Sequence, residues 1–181
     1  MKLFVASDIH GSEFYCRKMI EAFYQEKADK LLLLGDILYH GPRNNLPKDY
    51  NPKAVIEMLN KEKKNLICVR GNCDTDVDQM VLDFPILANY TIVLTENETL
   101  FLTHGHIYSK ENLPPLNDGD VFLYGHTHVP CFEKISSIYC INPGSVSIPK
   151  ENSHHGYLII KNNKYIFKDL DGNVICEHQK E

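Results

Sequence analysis

Short apolar runs recur along the chain, and most break off at a glycine, aspartate, asparagine or histidine. Leu3–Ala6, Leu31–Leu34 and Leu66–Val69 are too short for helices and apolar throughout, so they predict buried strands. Two segments of helical period lie between them. After Ser12, which suits an N-cap, Cys16, Met19, Ile20 and Phe23 fall at i, i+3, i+4 and i+7, leaving Arg17, Lys18, Glu21 and Gln25 outside. Asn51 and Pro52 suit an N-cap and a first helical residue. Val55, Ile56, Met58 and Leu59 then give the apolar face of a helix ending near Lys64. The first half thus predicts strand–helix–strand–helix–strand, a parallel α/β unit. Tyr39–Pro47, rich in Gly, Pro and Asn, predicts a loop. Beyond Asp74 the pattern predicts a short helix over Val77–Phe84. Strands follow at Thr91–Leu94, Leu100–Thr103, Val121–Tyr124, Phe132–Ile135, Ile138–Ile141, Tyr157–Ile160, Tyr165–Asp169 and Val174–Glu177. Hairpin turns are predicted at Glu96-Asn97, Ser136-Ser137, Asn162-Asn163 and Asp171-Gly172-Asn173.

The chemistry sits where these strands end. Val121–Tyr124 runs into Gly125-His126-Thr127-His128. If the chain stays extended, both imidazoles leave on one face, roughly 7 Å apart along the backbone. Such a pair suits a divalent metal, although two surface histidines in a loop are the alternative for this stretch alone. Asp8 and His10 repeat the i, i+2 spacing after the first strand. Asp36 follows Gly35, Asn72 follows Gly71, and His104 opens His104-Gly105-His106. In parallel α/β sheets ligands gather outside the carboxyl ends of the strands, which is where Asp8, His10, Asp36 and Asn72 fall. A structural zinc normally takes four ligands, often thiolates, and no cysteine pair here has zinc-finger spacing. Nitrogen and oxygen donors at five strand ends suit two ions of Mn, Fe, Ni, Co or Zn instead. One carboxylate bridging two ions about 3.5–4 Å apart supports in-line displacement at phosphorus. His154 and His155 are expected to face solvent, and neither His178 nor His106 is expected to be a ligand.

Composition narrows the partners. The 181 residues suit one domain, spanning 1–181, with 43% hydrophobic and 24% charged residues enough for an ordinary core. The formal charge is −5, and the most basic stretch, Lys61-Glu62-Lys63-Lys64, is broken by Glu62 and expected to face solvent. Coating of duplex nucleic acid is therefore not expected. No signal peptide and no membrane-spanning run is expected. The six cysteines form no CxxC and read as reduced thiols in a cytoplasmic protein, with Cys16, Cys68 and Cys140 in the core.

The set D-x-H, G-D, G-N-x-D, H-G-H and G-H-x-H, from Asp8 to His128, resembles the calcineurin-like metallophosphoesterases. The chain length, the loop Tyr39-His40-Gly41-Pro42-Arg43-Asn44 and the later Asn142-Pro143-Gly144-Ser145 resemble the small bacterial YfcE-type phosphodiesterases. This resemblance implies a four-layer α/β sandwich, two facing mixed sheets flanked by helices. It implies two divalent ions, Mn foremost, with Zn, Fe, Ni and Co as alternatives. One would take Asp8, His10, His128 and Asp36; the other Asp36, Asn72, His104 and His126. It implies hydrolysis of small or nucleotide-like phosphodiesters by a bridging hydroxide. Asn72, Asp74 and His104 are the catalytic candidates. Asp74 orients a ligand or Arg70, or caps the following helix. The residue after the asparagine ligand is usually histidine in the broader family; here it is Cys73, a substrate-binding candidate placed to line the phosphate site but a poor substitute. With an unperturbed pKa of about 8.5, a Cys73 thiolate would repel phosphate. Arg43 is a candidate phosphate fork or a plain surface arginine. The alternatives are a phosphomonoesterase, a short-oligonucleotide nuclease, and a non-catalytic scaffold like the retromer subunit of this fold. The sequence leaves homo-oligomerisation open.

Overall fold

The computed structural model describes residues 1–180. Strands β1 (Lys2–Ala6), β2 (Lys30–Leu33) and β3 (Leu66–Cys68) run parallel, joined by helices α1 (Glu13–Glu26) and α2 (Pro52–Lys61). Ser12 caps α1 by accepting from the Tyr15 amide, and Asn51 caps α2 with Pro52 at its first position. The second helix stops short of Lys64 because Glu62 turns inward. Its buried carboxylate accepts the Tyr24 hydroxyl at 2.7 Å and the Asn65 amide at 3.0 Å. These bonds satisfy the charge beside the frayed helix end.

The second half forms β4 (Tyr90–Leu94), β5 (Thr99–Thr103), β6 (Val121–Leu123), β7 (Cys131–Ile135), β8 (Ile138–Asn142), β9 (Gly156–Lys161), β10 (Lys164–Asp169) and β11 (Val174–Gln179). Each of the four predicted hairpin turns joins an antiparallel pair. Asn162 and Asn163 both hold positive φ, the geometry a two-residue hairpin turn needs. Strands order as β11-β10-β9-β1-β2-β3 in one sheet and β4-β5-β6-β8-β7 in the other, and both sheets are mixed.

Strand alternation decides the layers. Leu31 and Leu33 pack with Phe4, Met19, Phe23, Val55 and Leu59 under the two helices, while Leu32 and Leu34 face Leu100, Leu102, Leu123 and Ile141 of the second sheet. Four successive leucines are thus what a strand buried on both faces requires. The outer face of the second sheet (Phe101, Phe122, Tyr124) is covered by Tyr108, Leu113 and Leu116 from a loop, so helices flank only the first sheet. The helix expected over Val77–Phe84 is one turn, α3 (Asp76–Gln79), fixed by a Thr75–Asp78 capping box. Val77, Met80 and Val81 are exposed, so no apolar face extends it. His155 also differs from expectation, stacking on Tyr15 at 3.9 Å, and His178 stacks on Phe132 at 4.3 Å. No described helix is long and apolar enough to cross a membrane.

Candidate metal centre

The carboxyl ends of the parallel strands β1, β2, β3 and of β5, β6 bring all seven proposed donors to one place. They do not arrive by staying extended. Asp8, His10, Asp36, His126 and His128 all lie in the left-handed region, with φ between 50 and 68°. Asp and His tolerate that region better than most residues, yet five at one site is strain of the kind found at functional centres. The extended reading of His126 and His128 is therefore corrected: the chain turns sharply at each histidine. Backbone bonds pin these turns, from the amides of Asp8, His10 and Gly11 to the carbonyls of Gly35, Asp36 and Ile37 at 2.8–3.1 Å.

Two glycines let the turns approach. A Cβ on Gly125 would sit 2.0 Å from the Ser7 hydroxyl and 2.9 Å from Asp8 Oδ2. A Cβ on Gly71 would sit 2.1 Å from Asp36 Oδ1. Neither gap admits a carbon, so the strand ends close around the carboxylates only because these positions are bare.

The histidines are oriented before any ion is considered. His10, His104 and His128 each direct Nδ1 at a backbone carbonyl, of Tyr39 (2.7 Å), Leu34 (2.6 Å) and Ile148 (2.6 Å). Donation from Nδ1 makes Nε2 the inward atom of each ring, the one that can take a metal once it has given up its proton. The two inward nitrogens of His10 and His128 lie 3.3 Å apart, and Asp8 Oδ1 lies 3.5 and 3.2 Å from them. Asp36 Oδ2 is 3.6 Å from His10 Nε2 and 3.4 Å from His104 Nε2. Around His104 Nε2 stand Asn72 Oδ1 at 3.0 Å and His126 Nδ1 at 3.3 Å. The donors form two nests with Asp36 Oδ2 common to both.

Asp8 Oδ1 is the sharpest test of fit. The residue is wholly buried; its Oδ2 accepts the Ser7 hydroxyl and the His126 amide, but Oδ1 has no hydrogen-bond partner. A buried carboxylate oxygen without a donor, facing imidazole nitrogens, is what a cation satisfies. Asp8-His10-His128 and Asp8-Asp36-His104 each gather within metal-binding reach. Without an ion, burial works against charge at these groups, but their pairing overrides it. The imidazoles of His10 and His128 beside it hold the Asp8 carboxyl well below its ordinary value, and Asp36 raises His104 to about 9. Burial lowers His126 with help from charged His104.

Asp74 lies beneath the site and touches none of the groove. Its carboxylate accepts the amides of Asp36, Ile37 and Gly71 at 2.7–2.9 Å. It therefore positions the Asp36 turn and is not a group that meets substrate. It does not cap α3, where Thr75 does so, and Arg70 Nε reaches its backbone oxygen, not its carboxylate. Cys73 lines the groove, its amide holding Asp36 Oδ1 at 2.8 Å. Without metal, burial and the nearby Asp36 carboxylate push its thiol far up, which favours the neutral form. Arg43 also lines the groove, a cavity of about 470 Å³ over His10, Asp36, Asn72, His126 and His128. His106 stays outside, its ring 5.4 Å from His104.

The sequence reading missed the braces on the second sheet. Ser145 and Ser147 hydroxyls donate to the Asp8 carbonyl at 2.9 and 3.0 Å, and the Asn142 amide donates to the Gly125 carbonyl at 2.7 Å. Thr127 and Lys150, which also line the groove, were not anticipated. The available signal was small polar residues following an apolar strand, the pattern already used elsewhere.

The calcineurin-like phosphoesterase superfamily domain matches residues 1–164. Phosphodiesterase YfcE of Escherichia coli K12 is 52% identical over 162 residues, 90% of this chain and 88% of that protein. A solved structure of that phosphoesterase superposes with a TM-score of 0.97 over the whole of both chains. Phosphodiesterase MJ0936 of Methanocaldococcus jannaschii is 28% identical over 80% of this chain and 83% of its own length. Vacuolar Protein Sorting 29 of Cryptosporidium parvum, 18% identical with a TM-score of 0.64 over 99% of this chain and 98% of its own, shares the fold alone. With the two donor nests and the strand order that builds them, these matches show that the chain belongs to the calcineurin-like phosphoesterase superfamily.

Proposed function

We propose that this protein is a metal-dependent phosphodiesterase acting on small or nucleotide-like diesters at a centre of two divalent ions. The observation that carries the reading is the shared Asp36 Oδ2 between two sets of inward-facing imidazoles. Asp8, His10 and His128 with Asp36 would hold one ion; Asp36, Asn72, His104 and His126 would hold the other. Mixed imidazole and carboxylate donors suit Mn, with Zn, Fe, Ni and Co as competitors. When bound, the ions supply charge for the phosphoryl oxygens and lower the pKa of water to near neutrality.

The chain's own contribution is placement. Backbone carbonyls fix three imidazole tautomers, Asp74 fixes the Asp36 turn, and the Asn72 side chain stands between His104 and the Cys73 sulfur. Cys73 stands where the broader family has a histidine and offers no imidazolium to protonate a leaving oxygen. A diester with a good leaving group suits that wall better than a monoester dianion. The six free thiols support a reducing, cytoplasmic setting.

The test is a paired assay of the Mn-loaded protein on bis-p-nitrophenyl phosphate and on p-nitrophenyl phosphate. Hydrolysis of the diester, with much slower release from the monoester, is expected. A monoester preference, or activity indifferent to chelation and re-addition of metal, contradicts the reading.

A further inference from the structure

Two cations at the groove have no role in holding the metal site. Arg43 stands on the loop after β2, and Lys150 stands on the turn that follows β8 and Ile148. Both are exposed, both line the groove, and neither forms an ion pair or side-chain hydrogen bond among the described residues.

Their backbones are fixed although their side chains are free. The Lys150 amide donates to the carbonyl of His128 at 3.2 Å, and its own carbonyl accepts the Ser153 hydroxyl at 2.6 Å. The Arg43 loop is closed by the Asn44 side chain on the His40 carbonyl at 2.8 Å and by His10 Nδ1 on the Tyr39 carbonyl. Lys150 is thus tethered directly to His128, while Arg43 rides on a loop whose start, at Tyr39, is bonded to His10. A flexible stem on an anchored backbone keeps the charge free to meet a ligand in the groove.

Resting on the phosphodiesterase reading, we propose that Arg43 and Lys150 together select diesters that carry a second anion, a phosphate or carboxylate, on the ester substituent. The scissile phosphate belongs to the floor of donors. The exposed cations at the rim reach what projects beyond it. The chain's overall charge of −5 makes this local pair the attractive feature for such a substrate at the groove. Arg43 offers a planar fork and Lys150 a point charge, a combination suited to a terminal phosphate.

Two chromogenic esters separate the cases: the p-nitrophenyl ester of thymidine 5′-phosphate, and the same ester bearing a 3′-phosphate. Both release the same leaving group. The Mn-loaded protein is expected to favour the 3′-phosphorylated ester in kcat/KM by about fivefold or more, mostly through KM, the scale of two partly exposed ion pairs. Arg43→Ala and Lys150→Ala should each reduce the preference, and the double variant should bring the ratio near one. The preference should also fade at about 1 M salt, where screening acts over about 3 Å. Equal use of both esters, or variants that slow both equally, would overturn the proposal and return the cations to the scissile phosphate or to solvent. Calorimetric binding of thymidine 3′,5′-bisphosphate against thymidine 5′-phosphate makes the same comparison without turnover. Failure to hydrolyse bis-p-nitrophenyl phosphate would therefore count against the phosphodiesterase reading alone, while equal binding of the two nucleotides would count against this inference alone.

Discussion

At the scale of the residue, His104 shows how the site is held without metal. Its imidazolium faces Asp36 Oδ2 at 3.4 Å, and although burial disfavours charge its pKa rises from 6.5 to about 9. A raised histidine stabilises fully below its unfolded value and loses that contribution as pH climbs through the folded one. His10 is raised as well and acts in the same sense. His106, His126 and His155 are lowered and oppose this only weakly, because their unfolded imidazoles are already half neutral at pH 6.5 and almost wholly neutral by pH 8. Thermal denaturation of chelator-treated protein should therefore show Tm falling from pH 6.5 to 8. Metal binding needs the neutral imidazole, so apparent metal affinity should rise over the same interval. A metal-free Tm that climbs with pH there, or a slope unchanged in His104→Gln, would contradict this account of the pair.

At the scale of the element, the sequence marked where the chemistry sits but not how the chain turns to present it. Leu31–Leu34 announces a doubly buried strand because the run is apolar on both faces and too short for a buried helix. Hydrophobic pattern says nothing of φ, so the left-handed turns at Asp8, His10, Asp36, His126 and His128 were invisible, and the spacing suggested an extended edge instead. The extent of α2 was misread for a related reason. Glu62 looks like a solvent residue in a lysine run until Tyr24, far away in sequence, supplies its hydroxyl. Gly125 carried a legible hint, since a glycine between an apolar strand and two histidines invites close approach. Its substitution tests the packing of strand end on strand end. Gly125→Ala forces a Cβ into Ser7 and Asp8, so the Asp8 carboxylate must move. The cost should be about 1–3 kcal/mol in folding free energy, as for other overpacked buried sites, with loss of most metal retention. Metal content and denaturant midpoint equal to those of the natural chain would show that the turn has room not seen here.

At the scale of the molecule, the centre exists because two sheets face each other with their parallel strands pointing the same way. The first sheet supplies Asp8, His10, Asp36 and Asn72; the second supplies His104, His126 and His128. Neither half has a complete nest. Hydrogen bonds from Ser145 and Ser147 to the Asp8 carbonyl tie the second sheet's loops to the first. The sequence showed the parallel first half and the strand-rich second half, but their meeting is a long-range fact carried by these ties and by the shared core between the sheets. Asp36 stands at the seam, with Oδ1 fixed by the Cys73 amide and Oδ2 between the two nests. Its strand is buried independently of the carboxylate, so the fold should tolerate Asp36→Asn while the centre does not. The decisive measurement is elemental analysis of metal bound per chain after Mn loading and desalting, on the natural protein and on Asp36→Asn. Two ions per chain in the first, and loss of both with loss of diester hydrolysis in the second, are predicted. A single ion in the natural protein, or Asp36→Asn retaining two ions with hydrolysis intact, would contradict a centre built on a shared Asp36.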